Sequence, residues 1–280
     1  MQTAGLRGCK ATLAKVNDQL CFHFFAAQQA GPAINQVLAE HPDRFVTESF
    51  PGNSFAPRIN IRNKILPDFQ KSATETLGGV ALVFATECLL SYCDEIQSLR
   101  SEVVPTIHDV ITHKKQEEQL SEKLTHWGAP PPVALTKSFA YLRLRRNHIA
   151  HANQDPHQSL KELTKNYGNM LSTYWGQQPT KLPGLSFASQ DFSVGSEQEA
   201  FSLLNLCRVV MEKYDDLLCQ TIPQSAMETF ALRCFILSNK HLRGRSLSDR
   251  HRKFAYHFKL NFGVDLAMTE AEFDCAWANA

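Results

Sequence analysis

Residues 141–153 read YLRLRRNHIAHAN, and the reading of this stretch decides the fold. Tyr141, Leu142, Leu144 and Ile149 give it the apolar content of a packed helix, while Arg146 to His151 gathers an arginine, an asparagine and two histidines. At 100° per residue, Phe139, Leu142, Arg146 and Ile149 fall on one stripe. Arg146 therefore takes a position where the pattern calls for an apolar side chain, Asn147 and His151 stack on the adjacent face, and Arg145 and His148 point elsewhere. A guanidinium on a core-facing edge needs a carboxylate, backbone carbonyls or a ligand phosphate. Glu87, set in the apolar run GGVALVFATECLL (78–90), is the candidate internal partner. Arg143 and Arg145 read as a solvated basic face.

The bulk of the chain is that of a globular protein. Its 280 residues suffice for one large domain or two small ones. With a net charge of +1, any nucleic-acid or membrane surface has to be a local patch. Eight cysteines form no CxxC pair and mostly sit in apolar helical patterns, so a reducing cytoplasm and no zinc ribbon are expected; the leading reading of the chain calls for no metal and no cofactor. The run 78–90, interrupted by Glu87, is too short to span a bilayer, and MQTAGLRGCKATLAKV lacks the apolar core of a signal peptide. No membrane partner is expected.

Helical periodicity predicts an all-α protein. Two short helices are expected at 10–29 and 33–41, divided by Gly31-Pro32, followed by an irregular 50–67 with at most a short strand around Ile59–Ile61. A long helix over 70–99, apolar almost all round, reads as the central one. Further helices are expected over 106–126, from 133 to near Asp155-Pro156, and over 160–175. A Pro/Gly/Ser-rich connection at 177–195, with room for a short hairpin or extended piece, leads to Ser196-Glu197-Gln198-Glu199. This capping box opens an amphipathic helix to about Leu218. Helices at 223–242, 249–261 and 269–278 complete the chain. The expected organisation is a bundle at 67–221 between an N-terminal helical extension, 1–66, and a C-terminal one, 222–280.

Arg146-Asn147-x-x-x-His151, within LRRNHIAHAN, resembles the R-polar-x3–5-H signature of HEPN domains, and the run of helices over roughly 70–220 is similar to theirs. The resemblance implies a four- to five-helix bundle that homodimerises and brings two such motifs into one cleft. It further implies a metal-independent endoribonuclease of the toxin or phage-defence kind, held in check by a regulatory or antitoxin-like partner. Arg146, Asn147 and His151 are then the catalytic residues, Glu87 a supporting one, and Arg145 and His148 candidates for contacting the RNA. The chemistry suits these residue types. Histidine exchanges protons at neutral pH, and an always-charged guanidinium matches the non-bridging phosphate oxygens. Some HEPN toxins carry a tyrosine two residues after the histidine, a site of modification; here that residue is Asn153.

Other readings of the stretch are a solvated face, a HEPN-like module that binds RNA, nucleotide or protein without catalysis, and a metal site of His148, His151 and His157. Away from it, NKHLRGRSLSDRHRKFAYHFK (239–259) sets Arg243, Arg245, Arg250, Arg252, Lys253 and Lys259 against one acid, Asp249, with Tyr256 and Phe258 interleaved. It reads either as an RNA-gripping surface, with Arg243, Arg245, Arg250, Arg252 and Lys253 as contacts, or as a surface helix packed through Phe254 and Phe258.

Overall fold

Backbone hydrogen bonding follows the helical periodicity along nearly the whole chain. The computed structural model describes residues 1–104, 115–151 and 158–278. Eleven α-helices and no strand occur among the described residues, so the all-α class stands. They are α1 (Ala4–Glu40), α2 (Val46–Ser49), α3 (Ala56–Ile59), α4 (Leu66–Val103), α5 (Gln116–His126), α6 (Val133–Ala150), α7 (Gln158–Gly176), α8 (Glu197–Gln220), α9 (Gln224–Ser238), α10 (Leu247–Phe262) and α11 (Glu270–Ala278).

Several boundaries differ from the sequence reading. One helix, α1, runs through Gly31-Pro32 instead of ending there. A proline inside a helix deprives the carbonyl four residues earlier of its donor. Here that residue is the exposed Gln28, where solvent can serve the carbonyl. The strand around Ile59–Ile61 is absent: α3 ends at Ile59, Asn60 turns the chain with φ 43°, and Arg62 forms an isolated antiparallel bridge with Phe45. The first part of the helix expected over 106–126, and the expected end of the motif helix near Asp155-Pro156, lie outside the described residues.

The central helix is also a different one. Ala81, Leu82, Ala85, Leu89, Tyr92, Cys93 and Ile96 line the buried side of α4, but Val80 and Phe84 face outward, 44% and 59% exposed. Small residues occupy much of its packed side and larger apolar ones part of its open side, a division that counting apolar residues cannot reveal. By length and composition α4 could cross a membrane, and half of its apolar window is buried inside the protein. The helix buried nearly all round is α6, where four consecutive residues, Phe139 to Leu142, are enclosed.

Packing divides the chain into two compact units, Met1–Thr12 with Glu87–Ala140 and Cys207–Ala280, and Leu13–Thr86 with Tyr141–Leu206. Helices α1, α4, α6 and α8 each contribute residues to both. The grouping therefore does not follow the consecutive segments 1–66, 67–221 and 222–280.

In the first unit the start of α1 is tied down by a buried carboxylate. Asp215 of α8 accepts from the Thr3 backbone N–H at 3.1 Å, the Thr3 hydroxyl at 2.5 Å and the Tyr92 hydroxyl of α4 at 2.6 Å. The Thr3 oxygen in turn accepts from the Leu6 N–H at 3.3 Å and so caps α1. Burial, followed by the Asp215 charge, pushes the Tyr92 phenol far above its usual range, so it stays a donor. A second core of aromatic rings joins α9, α10 and α11: Phe235 and Phe254 lie 5.4 Å apart, Phe258 and Phe262 4.8 Å, and Phe273 and Trp277 5.4 Å.

In the second unit the connection 177–195 contains no strand, yet it is not a loose loop. Phe187, Phe192 and Val194 are buried, Gln190 donates to Thr164 of α7 at 2.7 Å, and the Ser202 hydroxyl of α8 donates to the Pro183 carbonyl at 2.6 Å. Gly168 of α7 makes this approach possible. A Cβ there would stand 2.7 Å from both the Ala188 Cα and the Phe187 carbonyl oxygen, and backbone atoms cannot swing aside. Gly168→Ala is therefore expected to destabilise the protein by about 1–3 kcal/mol, the usual scale of overpacking. Urea denaturation of the variant measures it, and unchanged stability would show that the 187–188 segment is not held against α7.

Candidate functional site at the C-terminal end of helix α6

Four consecutive residues, Arg145 to His148, face different surroundings, and their partners come from three places in the sequence. Arg145 is the buried arginine, with 1% of its side chain exposed. Its Nε donates to the Phe192 carbonyl at 3.2 Å and its Nη1 to the Tyr141 hydroxyl at 2.7 Å. Its Nη2 donates to the Ser193 carbonyl and to Glu199 Oε1, both at 2.6 Å. Burial opposes the charge, but Tyr141 and then Glu199 outweigh it and hold the guanidinium above its ordinary range.

The partners are prepared locally. The Asp191 carboxylate accepts from the Ser193 backbone N–H at 3.0 Å and from the Ser193 hydroxyl at 2.8 Å, an Asx-type turn next to the two carbonyls that Arg145 receives. These Ser193 hydrogen bonds, side chain first, hold Asp191 below the usual carboxylate range. Glu199 sits in the first turn of α8, where its N–H donates to the Ser196 hydroxyl at 3.1 Å and its Oε2 accepts from the Gly195 N–H at 3.0 Å. The capping box expected from Ser196 and Glu199 thus forms with a one-residue shift, and the second carboxylate oxygen is free to take Arg145.

Arg145 is consequently not a solvated residue, nor available to contact RNA, and both expectations are corrected. Three of its four partners lie 47, 48 and 54 residues away in sequence, beyond the reach of a helical stripe. Buried residues surround α6 through Arg145, so the line through Phe139, Leu142 and Arg146 could not distinguish the buried guanidinium from its neighbour. Ser138, Tyr141 and Arg145, at i, i+3 and i+7, were the informative positions.

Arg146 is half-buried, and its Nη1 donates to the Asn147 side-chain oxygen at 2.9 Å. Asn147 thus orients Arg146. Just past the end of α6, His151 is exposed, and its backbone N–H still bonds the Asn147 carbonyl at 3.0 Å, continuing the helical turn. Three of the predicted residues, Arg146, Asn147 and His151, are therefore carried within about one and a half turns. Glu87, the expected support, is half-buried on α4 and belongs to the first unit.

His148 points to another side. Its ring meets Phe192 edge-on, centroids 5.8 Å apart, and lines a groove of about 500 Å³ together with Ile149, Ala150, Ser193, Val194 and a strip of α4 from Glu75 to Val83. The groove exists because α4 is pared down here: Gly79 lies under Ile149, and a Cβ on Gly78 would come within 2.6 Å of Val194. Burial, followed by the charge of Arg145, lowers the His148 pKa below the ordinary histidine value, against a smaller opposing effect of Asp191. Of the proposed metal reading, His157 lies outside the described residues. No cluster of three or more His, Cys, Asp or Glu suited to a metal ion occurs among the described residues.

The C-terminal candidates divide in the same way. Arg250 is mostly buried, 4.8 Å over the Trp277 ring and 3.5 Å from Asp274, so it packs α10 to α11 and is corrected as an RNA contact. Lys253 reaches Asp249 at 3.5 Å, and Arg252 reaches it at 2.8 Å while remaining exposed. Arg243 and Arg245 are exposed. Phe254 and Phe258 are fully buried, as the packing reading required.

No family model, no curated protein and no solved structure matches the chain.

Two outcomes follow from this geometry. Glu199→Ala leaves Arg145 charged and buried without its counter-ion, and is expected to cost about 3 kcal/mol in chemical denaturation; a loss under 1 kcal/mol would mean that the carbonyls and Tyr141 suffice. Because His148 has a lowered pKa in the folded protein, the unfolded chain binds its proton first as the pH falls. Its contribution is complete above pH 6.5 and is lost as the pH falls through the lower folded value. His257, lowered first by burial and then by Arg7, adds to the same trend. Melting temperatures between pH 8 and 5 are expected to fall less in His148→Gln than in the wild type, and parallel curves would contradict the assignment.

Proposed function

We propose that the chain is a metal-independent endoribonuclease of HEPN type, with Arg146, Asn147 and His151 as its catalytic residues. The observation that carries this reading is the Arg146–Asn147 side-chain bond of 2.9 Å one helical turn before an exposed histidine. The neighbouring Arg145 is consumed by structure, so the two arginines have separate duties. Arg146, oriented by Asn147 and half-exposed, is the arginine assigned to the phosphate.

RNA brings its own nucleophile. In the proposed reaction one imidazole takes the proton of the 2′-hydroxyl as its oxygen attacks the adjacent phosphorus. The bond to the 5′-oxygen breaks, and a second imidazole returns a proton to that oxygen. The products are a 2′,3′-cyclic phosphate and a 5′-hydroxyl. Positioned proton transfer of this kind contributes roughly 10²–10⁴-fold. Arg146 stabilises charge on the non-bridging oxygens, with a planar fork suited to them. A single motif supplies one His151, so a homodimer provides the base from one protomer and the acid from the other. An RNase of this class acts as a toxin or phage-defence effector, and a regulatory partner restrains it.

A second reading has its own observation. Phe22 and Phe25 on α1, and Val80 and Phe84 on α4, are large apolar side chains left exposed. That favours an interaction module which uses the same helices without catalysis.

Cleavage of a labelled tRNA or total-RNA pool in EDTA separates the two. Wild type is expected to produce 2′,3′-cyclic phosphate ends, and Arg146→Ala and His151→Ala to lose at least about 100-fold of that rate, with melting temperatures close to the wild type. Equal cleavage by all three proteins would remove the motif from the mechanism. No cleavage by the wild type would favour the interaction module.

A further inference from the structure

Positive charge is concentrated in one segment. The chain as a whole is balanced, with 29 Lys and Arg against 28 Asp and Glu. Residues 239–259 hold Lys240, Arg243, Arg245, Arg250, Arg252, Lys253 and Lys259 against Asp249 alone, which leaves the remainder net acidic. The fold then sorts these cations. Arg250 is spent on Trp277 and Asp274, and Lys253 lies along the side that carries Asp249. The others remain at the surface: Lys240, Arg243 and Arg245 in and beside the 3-10 turn before α10, and Arg252 and Lys259 on α10.

The outer face of α10 has a regular arrangement. Arg252, Tyr256 and Lys259 stand at i, i+4 and i+7, on one side of the helix. The tyrosine is 70% exposed, an aromatic ring held outward between two cations. Arg252 is 80% exposed in its pair with Asp249, and Lys259 pairs with an exposed Asp265 at 2.8 Å. Exposed pairs of this kind are weak and exchange readily for another anion. The phenylalanines of the helix, Phe254, Phe258 and Phe262, are all buried in the aromatic core, while Leu260 is exposed. The packing reading of this segment thus holds on the inner face, while the cations and Tyr256 occupy the outer one.

We infer that the turn at 240–245 and the outer face of α10 form a docking surface for single-stranded RNA, with the cations along the phosphates and Tyr256 stacking an unpaired base. The selection of a single strand comes from the ring, since a base inside a duplex has no free face to offer it. A lipid surface fits less well, because the apolar side of α10 faces inward and only Tyr256 and Leu260 are left to insert. The choice of RNA over DNA rests on the ribonuclease reading; the surface itself does not.

The test uses the full chain and a fluorescent 2′-O-methylated RNA oligonucleotide, which lacks the nucleophile and cannot be cut by the proposed reaction. Binding is followed by anisotropy across a salt series, with Lys15→Gln as a control for an exposed cation elsewhere. The triple variant Lys240→Gln/Arg243→Gln/Arg245→Gln is expected to lower the slope of log K against log salt by about 2, near 0.7 per cation, and to weaken binding roughly 10-fold. Tyr256→Ala is expected to weaken it by about 10-fold, while Tyr256→Phe binds as wild type. Circular dichroism melts establish that the variants fold. Binding by both variants at the level of Lys15→Gln overturns the proposal. So does retention by anionic vesicles, lost in the triple variant, without RNA binding. Wild-type binding with no cleavage of ordinary RNA supports this surface and removes the cleavage reading, so the two fail separately.

Discussion

One buried guanidinium organises the second unit. Arg145 has to be charged, and a charge enclosed in protein must be met by acceptors on the spot. Two of those acceptors are consecutive backbone carbonyls, Phe192 and Ser193, in a segment with no regular secondary structure, and a third is the carboxylate at the start of α8. The demand of one side chain therefore fixes the 187–195 connection and the first turn of α8 against α6. Asp191 and Ser196 prepare the two sides, and Gly168 gives the room. An ion pair of this kind adds little net stability against an apolar replacement of the same shape, but losing half of it is costly. Its weight here lies in specifying one arrangement.

The same anchoring shapes the surface used by the candidate site. Because Arg145 pulls Phe192 and Ser193 onto α6, Phe192 meets the His148 ring and Ser193 and Val194 complete the wall of the groove. Arg146 and Asn147, one and two residues on, are turned away from that wall and bond each other. A buried arginine, an oriented arginine and an exposed histidine within seven residues thus perform different work. The first unit relies on a comparable device, with Asp215 collecting donors from Thr3 and Tyr92 and so joining α1, α4 and α8 around one carboxylate.

Much of this was legible in the chain. Apolar periodicity located α7 to within two residues and α8 and α10 closely, because each presents an amphipathic face against a neighbour. The Ser196 cap was readable for a local reason: it needs only residues three apart. Periodicity failed on α4 and α6. Both are apolar, but α4 leaves Val80 and Phe84 open while α6 is enclosed, and the difference lies in which helices happen to surround them. It failed also at Pro32, where solvent compensates for a missing hydrogen bond that a buried helix would not have tolerated.

By itself the sequence determined the helical class, the Ser196 cap, the clustering of Arg146, Asn147 and His151 within about one and a half turns, and the concentration of positive charge in 239–259. All of these depend on neighbours within a few residues, whose relative directions follow from helix geometry. Only the tertiary structure decided which arginine is buried, that Glu199 is the carboxylate of Arg145, and which of the C-terminal cations stay at the surface. Those outcomes depend on partners brought together from distant segments, and a charge finds its partner by distance in space, which periodicity along one helix does not encode.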